Sequence, residues 1–183
     1  MKILKNIKAI FLDLGDVIME EATEVKDENG VTLSAELIPG AKEAVKQIKE
    51  MGYTLALVAD TYVGTYNNVL KAHDLFAYFD AFAISDEVGC LKPDPRMFKK
   101  ALDDLEITEA DYNRVIMVGN NLERDIAGAN RVGLITVWSN WNDNDGYKEK
   151  PEKELEFPDY EIGILTEIIA LLPEIEESLD HEK

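Results

Sequence analysis

Short apolar runs bounded by turn residues alternate along this chain with stretches whose apolar positions recur every three or four residues. The runs at 8–13, 53–59, 80–84, 115–118 and 134–138 predict buried strands of a parallel sheet, and 159–162 a sixth strand at its edge. The intervening stretches predict helices. In 39–51, Ala41, Ala44, Val45, Ile48 and Met51 share one face and Gly52 is the stop. Helices follow at 64–73, at 95–105 and at 122–132, the last stopped by Gly133, with a final one at 164–172. Asp94 is placed as an N-cap and Pro95 as the first helical residue.

Three segments fall outside this alternation. Residues 17–33 are polar, with Asp27-Glu28-Asn29-Gly30 at their centre; Asn-Gly between extended stretches predicts a hairpin, a small flap over the sheet edge, against a disordered acidic loop. Residues 139–158 form a long polar loop, of a length that is usually functional or mobile. The acidic tail, 174–183, is expected to fray after Pro173. The expected organisation is one α/β domain, 1–173, and the tail.

Strands alternating with helices imply right-handed crossovers and a Rossmann-like, doubly wound parallel sheet between two helical layers. In such sheets ligands bind beyond the carboxyl ends of the strands. Asp13, Asp60-Thr61 and Asn120 all follow predicted strands and so meet at that edge, where the loop before the helix at 95 can bring Lys92. Gly15 lets backbone approach a ligand closely. An aspartate, a lysine and a second acidic cluster in one crevice look like a metal-assisted phosphate site, whereas Asp13 alone reads equally well as an ordinary strand-ending turn.

Composition narrows the partners. The chain has 183 residues, with 19 Lys and Arg against 37 Asp and Glu, a net charge of -18. That surface repels nucleic acid and anionic membranes. It also repels phosphorylated substrates, so a phosphate site needs a cation or a local lysine. Cys90 is the only cysteine, and His73 and His181 the only histidines, which argues against a disulfide, a cysteine-based zinc site or a histidine triad. The first five residues are too short and too charged for a signal peptide, and no apolar run reaches the ~20 residues of a membrane span. A soluble cytoplasmic protein is expected.

To about Leu172 the chain resembles the haloacid dehalogenase superfamily, most of whose members are magnesium-dependent phosphatases. The resemblance lies in four elements in order: the strand ending in Asp13, the strand ending at Ala59-Asp60-Thr61, Lys92 in Leu91-Lys92-Pro93-Asp94-Pro95, and Gly119-Asn120-Asn121-Leu122-Glu123-Arg124-Asp125. It implies that Asp13 attacks phosphorus and forms an aspartyl-phosphate. It implies Mg2+ held by Asp13, the Gly15 carbonyl, Asp125 and Asn120, with Lys92 neutralising the nucleophile and a phosphoryl oxygen. Asp60, Thr61 and Asn120 become candidates for binding substrate.

Three departures from the family pattern matter. Gly15 stands where the family's phosphatases usually carry an acid–base Asp, a loss typically worth ~10²–10⁴-fold in rate. Asp16 is a candidate substitute, its other reading being a solvated or capping residue. Ala59 replaces a hydroxyl donor, on the order of 10²–10³-fold, which Thr61 compensates only if it points inward. Asn120 replaces a metal-ligating Asp. The interval from Asp16 to Tyr53 is also too short for the helical cap of many members, so the site is expected to be open and covered by the flap, the 139–158 loop or a second subunit. The readings are thus a slow phosphatase on a small or larger phosphorylated substrate, a degenerate binding or regulatory protein, and, least favoured, a dehalogenase.

Overall fold

Strand β1 (Ala9–Leu12) is buried along its whole length, and every other part of the fold is placed relative to it. The computed structural model describes residues 5–141 and 147–181. After β1 come the hairpin strands β2 (Val25–Lys26) and β3 (Thr32–Ser34), then α1 (Ala41–Glu50), β4 (Leu55–Ala59), α2 (Val63–Ala72), β5 (Ala81–Ile84), α3 (Ser85–Val88) and α4 (Pro95–Asp104). The chain continues through β6 (Val115–Gly119), α5 (Ala127–Val132), β7 (Ile135–Ser139), β8 (Tyr160–Ile162) and α6 (Ile168–His181).

Six strands form one sheet in the order β5-β4-β1-β6-β7-β8, each neighbouring pair parallel. The chain leaves β1 toward β4 and β5, then crosses back to β6 on the other side, so the strand order reverses at β1. The crevice beyond the carboxyl end of β1 is the place where such sheets bind ligands. The two-residue period of the strands divides the core. Ile10, Leu12, Leu55, Leu57, Ile116 and Val118 pack with Val45, Ile48, Val69, Leu70 and Leu172 on one face. Ala9, Phe11, Ala56, Val58 and Met117 pack with Met97, Phe98, Ala101 and Ala129 on the other. Asp94 caps α4 by accepting the Arg96 N–H, with Pro95 at the first helical position, as the sequence predicts.

Two expectations need correcting. The acidic tail does not fray at Pro173: α6 runs through that proline to His181, because Ile175 and Leu179 are buried. The Glu176 carboxylate also accepts hydrogen bonds from the N–H groups of Asn6 (2.7 Å) and Ile7 (3.4 Å) and from the Tyr53 hydroxyl (3.1 Å). Core contacts on both sides of Pro173 outweigh the one backbone hydrogen bond it removes. The described part of the 139–158 loop is likewise tied down. The buried Glu156 carboxylate accepts from Lys148 Nζ at 2.9 Å and from the Glu152 N–H at 2.9 Å, while Asn130 Nδ2 donates to the carbonyls of Leu155 and Phe157. The part of that loop at 142–146 lies outside the described residues, as do 182–183 of the tail. No described helix is long and apolar enough to cross a membrane.

Candidate active site

Asp13 follows β1 directly, its N–H bonded to the Val118 carbonyl at 3.0 Å, so its direction is set by the sheet. Lys92 arrives from the loop between α3 and α4 and is 3% exposed. Its Nζ lies 2.8 Å from Asp13 Oδ1, 2.6 Å from Asp125 Oδ1 and 2.9 Å from the Val58 carbonyl. One buried ammonium thus holds two carboxylates facing each other. Asp60 secures it from behind: Oδ1 accepts the Lys92 backbone N–H at 2.9 Å, and Oδ2 meets Arg124 at 3.4 Å. Burial pulls the Lys92 ammonium toward neutrality, but the negative charges of Asp125, Asp13 and Asp60 together hold it charged above the usual lysine range. Burial pushes Asp13 up to about 7, against the pull of Lys92 and with the push of Asp125. Asp60 is also raised, by burial first.

Asp125 is positioned by an unusual turn. The predicted helix at 122–132 begins as a π-helical turn, Leu122–Ile126, before becoming α5. The Asn121 side chain caps it, accepting from the N–H groups of Glu123 (3.0 Å) and Arg124 (3.1 Å). The wide turn folds Asp125 back over Gly119, where an added Cβ would fall on the Asp125 side chain. Asp125 Oδ2 then accepts the Asn121 N–H at 2.9 Å. Asn120 is 3% exposed, its carbonyl accepting from Trp138 Nε1 at 2.9 Å.

These groups line a cavity of about 210 Å³. It brings together Asp13, Gly15, Asp60, Thr61, Lys92, Asn120 and Asp125. Asp16 is not among its lining residues. That residue sits at φ 49°, and its Oδ1 accepts the Glu21 N–H at 3.0 Å, so its carboxylate is engaged in capping a turn. Its candidacy as the substitute acid is withdrawn. The physical reason is the left-handed backbone that starts the flap, which sets the carboxylate against the Glu21 N–H.

The cavity has walls from within the chain. The hairpin is there as predicted, and it is pinned to α2: the Thr32 N–H donates to Thr65 Oγ1 and Asn68 Nδ2 to the Thr32 carbonyl, each at 2.9 Å. From this flap Glu21, Glu24 and Lys26 reach the cavity, and Tyr147 closes it from the 139–158 loop. Burial and then the charges of Glu21 and Asp13 push the Tyr147 hydroxyl up to about 12. Burial, with Asp16 and Glu24, also raises Glu21. None of these flap and loop residues, nor Arg124 and Thr65, was singled out from the sequence. The run Glu20-Glu21-Ala22-Thr23-Glu24 contains three similar acids, and nothing in it says which two turn inward.

The donor set suits a hard cation. Among the described residues no group of three or more His, Cys, Asp or Glu side chains is arranged to hold a metal. Magnesium does not need one, since it usually takes one or two carboxylates and keeps several waters. Asn120 Nδ2 is buried without a hydrogen-bond partner, and Asp125 Oδ1 has the 2.6 Å ion pair to Lys92 as its close contact. Turning the Asn120 amide over would put its oxygen at the orphaned position. The lining carries five carboxylates, from Asp13, Glu21, Glu24, Asp60 and Asp125, against three cations, Lys26, Lys92 and Arg124. A divalent cation would offset that excess.

The site is thus a carboxylate directly after a central parallel strand, paired with a buried lysine and a second aspartate at the carboxyl edge of a doubly wound sheet. The family model for haloacid dehalogenase-like hydrolases matches residues 2–133, and the chain belongs to that family. It is 32% identical over 147 residues to a glyceraldehyde 3-phosphate phosphatase from Pyrococcus furiosus, covering 80% of this chain and 57% of that protein. It is 31% identical over 135 residues to a pyrimidine 5'-nucleotidase from Escherichia coli, covering 74% of this chain and 56% of that protein. The chain therefore spans about half the length of these relatives. In structure it resembles a haloacid dehalogenase-type phosphatase from Thermococcus onnurineus, with a TM-score of 0.72 at 21% identity over 90% of this chain and 97% of that one. At that identity the likeness speaks for the fold alone.

Proposed function

We propose that this chain is a Mg2+-dependent phosphatase of phosphate monoesters, soluble and cytoplasmic, working through an aspartyl-phosphate on Asp13. The observation that carries the reading is the convergence of Asp13 and Asp125 on one buried Lys92 ammonium at the carboxyl end of β1. Asp13 Oδ would attack phosphorus in line with the leaving group. Lys92 opposes the burial that raises Asp13 and would offer its charge to a phosphoryl oxygen. Asp60 holds Lys92 in place through its backbone. Thr61 and Asn120, which line the cavity, would donate to the transferred group, and Arg124 would add a cation. Asp13, the Gly15 carbonyl, Asn120 and Asp125 would hold Mg2+, whose contribution is to neutralise charge on the phosphoryl oxygens.

Relatives named as a glyceraldehyde 3-phosphate phosphatase and a phosphoserine phosphatase support a phosphorylated substrate. The cavity, about 210 Å³ against ~300–1,000 Å³ for typical ligand pockets, favours a phosphoryl group with a small body attached. The flap and Tyr147 wall the site, so the reading does not call on a second subunit as a lid, though a homo-oligomer remains compatible with it. Ala59 and Asn120 favour the competing reading, a binding or regulatory protein that has kept the fold. Hydrolysis of p-nitrophenyl phosphate, with Mg2+ and with chelator, separates the two. Turnover that needs Mg2+ and disappears in Asp13→Asn supports the enzyme. No turnover, with phosphate or its esters still binding, supports the other.

A further inference from the structure

Gly15 leaves the reaction without a proton donor at the position where the family usually has one. The space that a side chain there would occupy is nevertheless filled. A Cβ added to Gly15 would fall on the end of Glu21, 2.7 Å from its Cδ and 2.9 Å from its Cγ, with Oε1 nearer still. That carboxylate lines the same cavity as Asp13 and Lys92. It is held by two local features. The Asp16 carboxylate accepts the Glu21 N–H at 3.0 Å, and the residue starts the short 3-10 turn Glu21–Thr23. Further along, the Thr32 contacts with Thr65 and Asn68 anchor the flap to α2. The absent side chain and the flap glutamate are therefore complementary: one could not be present with the other in this position.

We propose that Glu21 is the general acid and base of this enzyme, delivered from the flap in place of a residue at position 15. In the first step Asp13 Oδ forms a bond to phosphorus as the bond to the leaving-group oxygen breaks, and the Glu21 carboxyl proton passes to that oxygen. In the second, Glu21, now a carboxylate, takes a proton from water as the water oxygen attacks phosphorus. The bond from phosphorus to Asp13 breaks, inorganic phosphate leaves, and Glu21 is again protonated. Asp16 becomes a positioning residue, acting through the backbone of Glu21.

The inference rests on the phosphatase reading, and the test distinguishes the two. Glu21→Gln keeps the backbone contact and the shape; circular dichroism and thermal unfolding matching the parent establish that it is folded. Both proteins are assayed with Mg2+ on p-nitrophenyl phosphate, whose leaving group needs little protonation, and on phenyl and alkyl phosphates, whose leaving groups need more. The expected result is a kcat loss of ~10²–10⁴-fold on the alkyl ester and a much smaller loss on p-nitrophenyl phosphate. Moving the carboxylate, in Gly15→Asp with Glu21→Ala, should recover part of the alkyl-ester rate. A uniform loss across the series, no loss, or a displaced Mg2+ requirement in Glu21→Gln would overturn the role of Glu21 and leave the phosphatase standing. A parent inactive on all the esters would overturn both.

Discussion

Replacing Lys92 with methionine tests the centre of the site, because it removes the charge and keeps most of the stem. In the native protein the ammonium sits between Asp13 and Asp125, at 2.8 and 2.6 Å, and donates to the Val58 carbonyl. Its removal strands the buried Asp125 carboxylate, the half-buried Asp13 carboxylate and the buried Val58 carbonyl. Breaking a buried ion pair from one side costs ~3–5 kcal/mol, a large part of the ~5–15 kcal/mol by which a domain is stable. With a urea dependence of ~2 kcal/mol per molar, the midpoint should fall by about 1.5–2.5 M in metal-free buffer at pH 8. The cost should depend on pH in a definite direction. Asp13, already pushed up to about 7 by burial, loses the cation that opposes that push. A carboxyl raised in the folded state binds more protons there than when unfolded, so stability falls as pH rises above its unfolded pKa. The gap between parent and variant should therefore widen from pH 5 to pH 8. A midpoint shift below ~0.5 M at pH 8, or one equal at both pH values, would refute the account of Lys92 as the buried counterion.

Mg2+ should raise the thermal midpoint of the parent, by the equivalent of ~2.7 kcal/mol at a hundred times its Kd, and by more at pH 8 than at pH 5.5, since it favours the ionised form of Asp13; differential scanning fluorimetry reads this directly. Gly119→Ala should cut Mg2+-dependent turnover at least ~10²-fold while the sheet stays folded by circular dichroism, because its Cβ displaces the Asp125 side chain. Ending the chain after Leu172 should destabilise it by more than ~3 kcal/mol in urea unfolding, since burying Ile175 and Leu179 is worth ~1.5–3 kcal/mol each and the Glu176 contacts to Asn6, Ile7 and Tyr53 are lost as well.

The parts legible in the sequence are those carried by short-range signals. Apolar runs and helical periodicity located the six strands of the main sheet and most of the helices, and Asn29-Gly30 marked the hairpin. Asp94-Pro95 placed the start of α4. The residues at the ends of β1, β4 and β6 followed from topology, since a parallel sheet puts them on one edge whatever their spacing along the chain. The tail was misread because a proline is a local stop signal, whereas α6 persists through contacts of Ile175, Glu176 and Leu179 with residues more than a hundred positions away.

The same limit explains the acid–base position. Read along the chain, Gly15 is a deletion of function and Asp16 is its nearest repair. In three dimensions the Asp16 carboxylate is taken up by the Glu21 N–H, and the turn it caps carries Glu21 into the space that Gly15 leaves open. A glycine at position 15 is then more than a lost aspartate: its missing Cβ leaves room for the flap carboxylate where it stands. Sequence spacing could not show this, because the relevant distance runs across a turn whose shape depends on one left-handed residue. A departure from a family motif is thus weak evidence of lost activity until the volume of the missing side chain has been inspected for another group. Here that volume holds one, on a flap pinned by Thr32, Thr65 and Asn68, which weighs the site toward a rearranged enzyme over a relic.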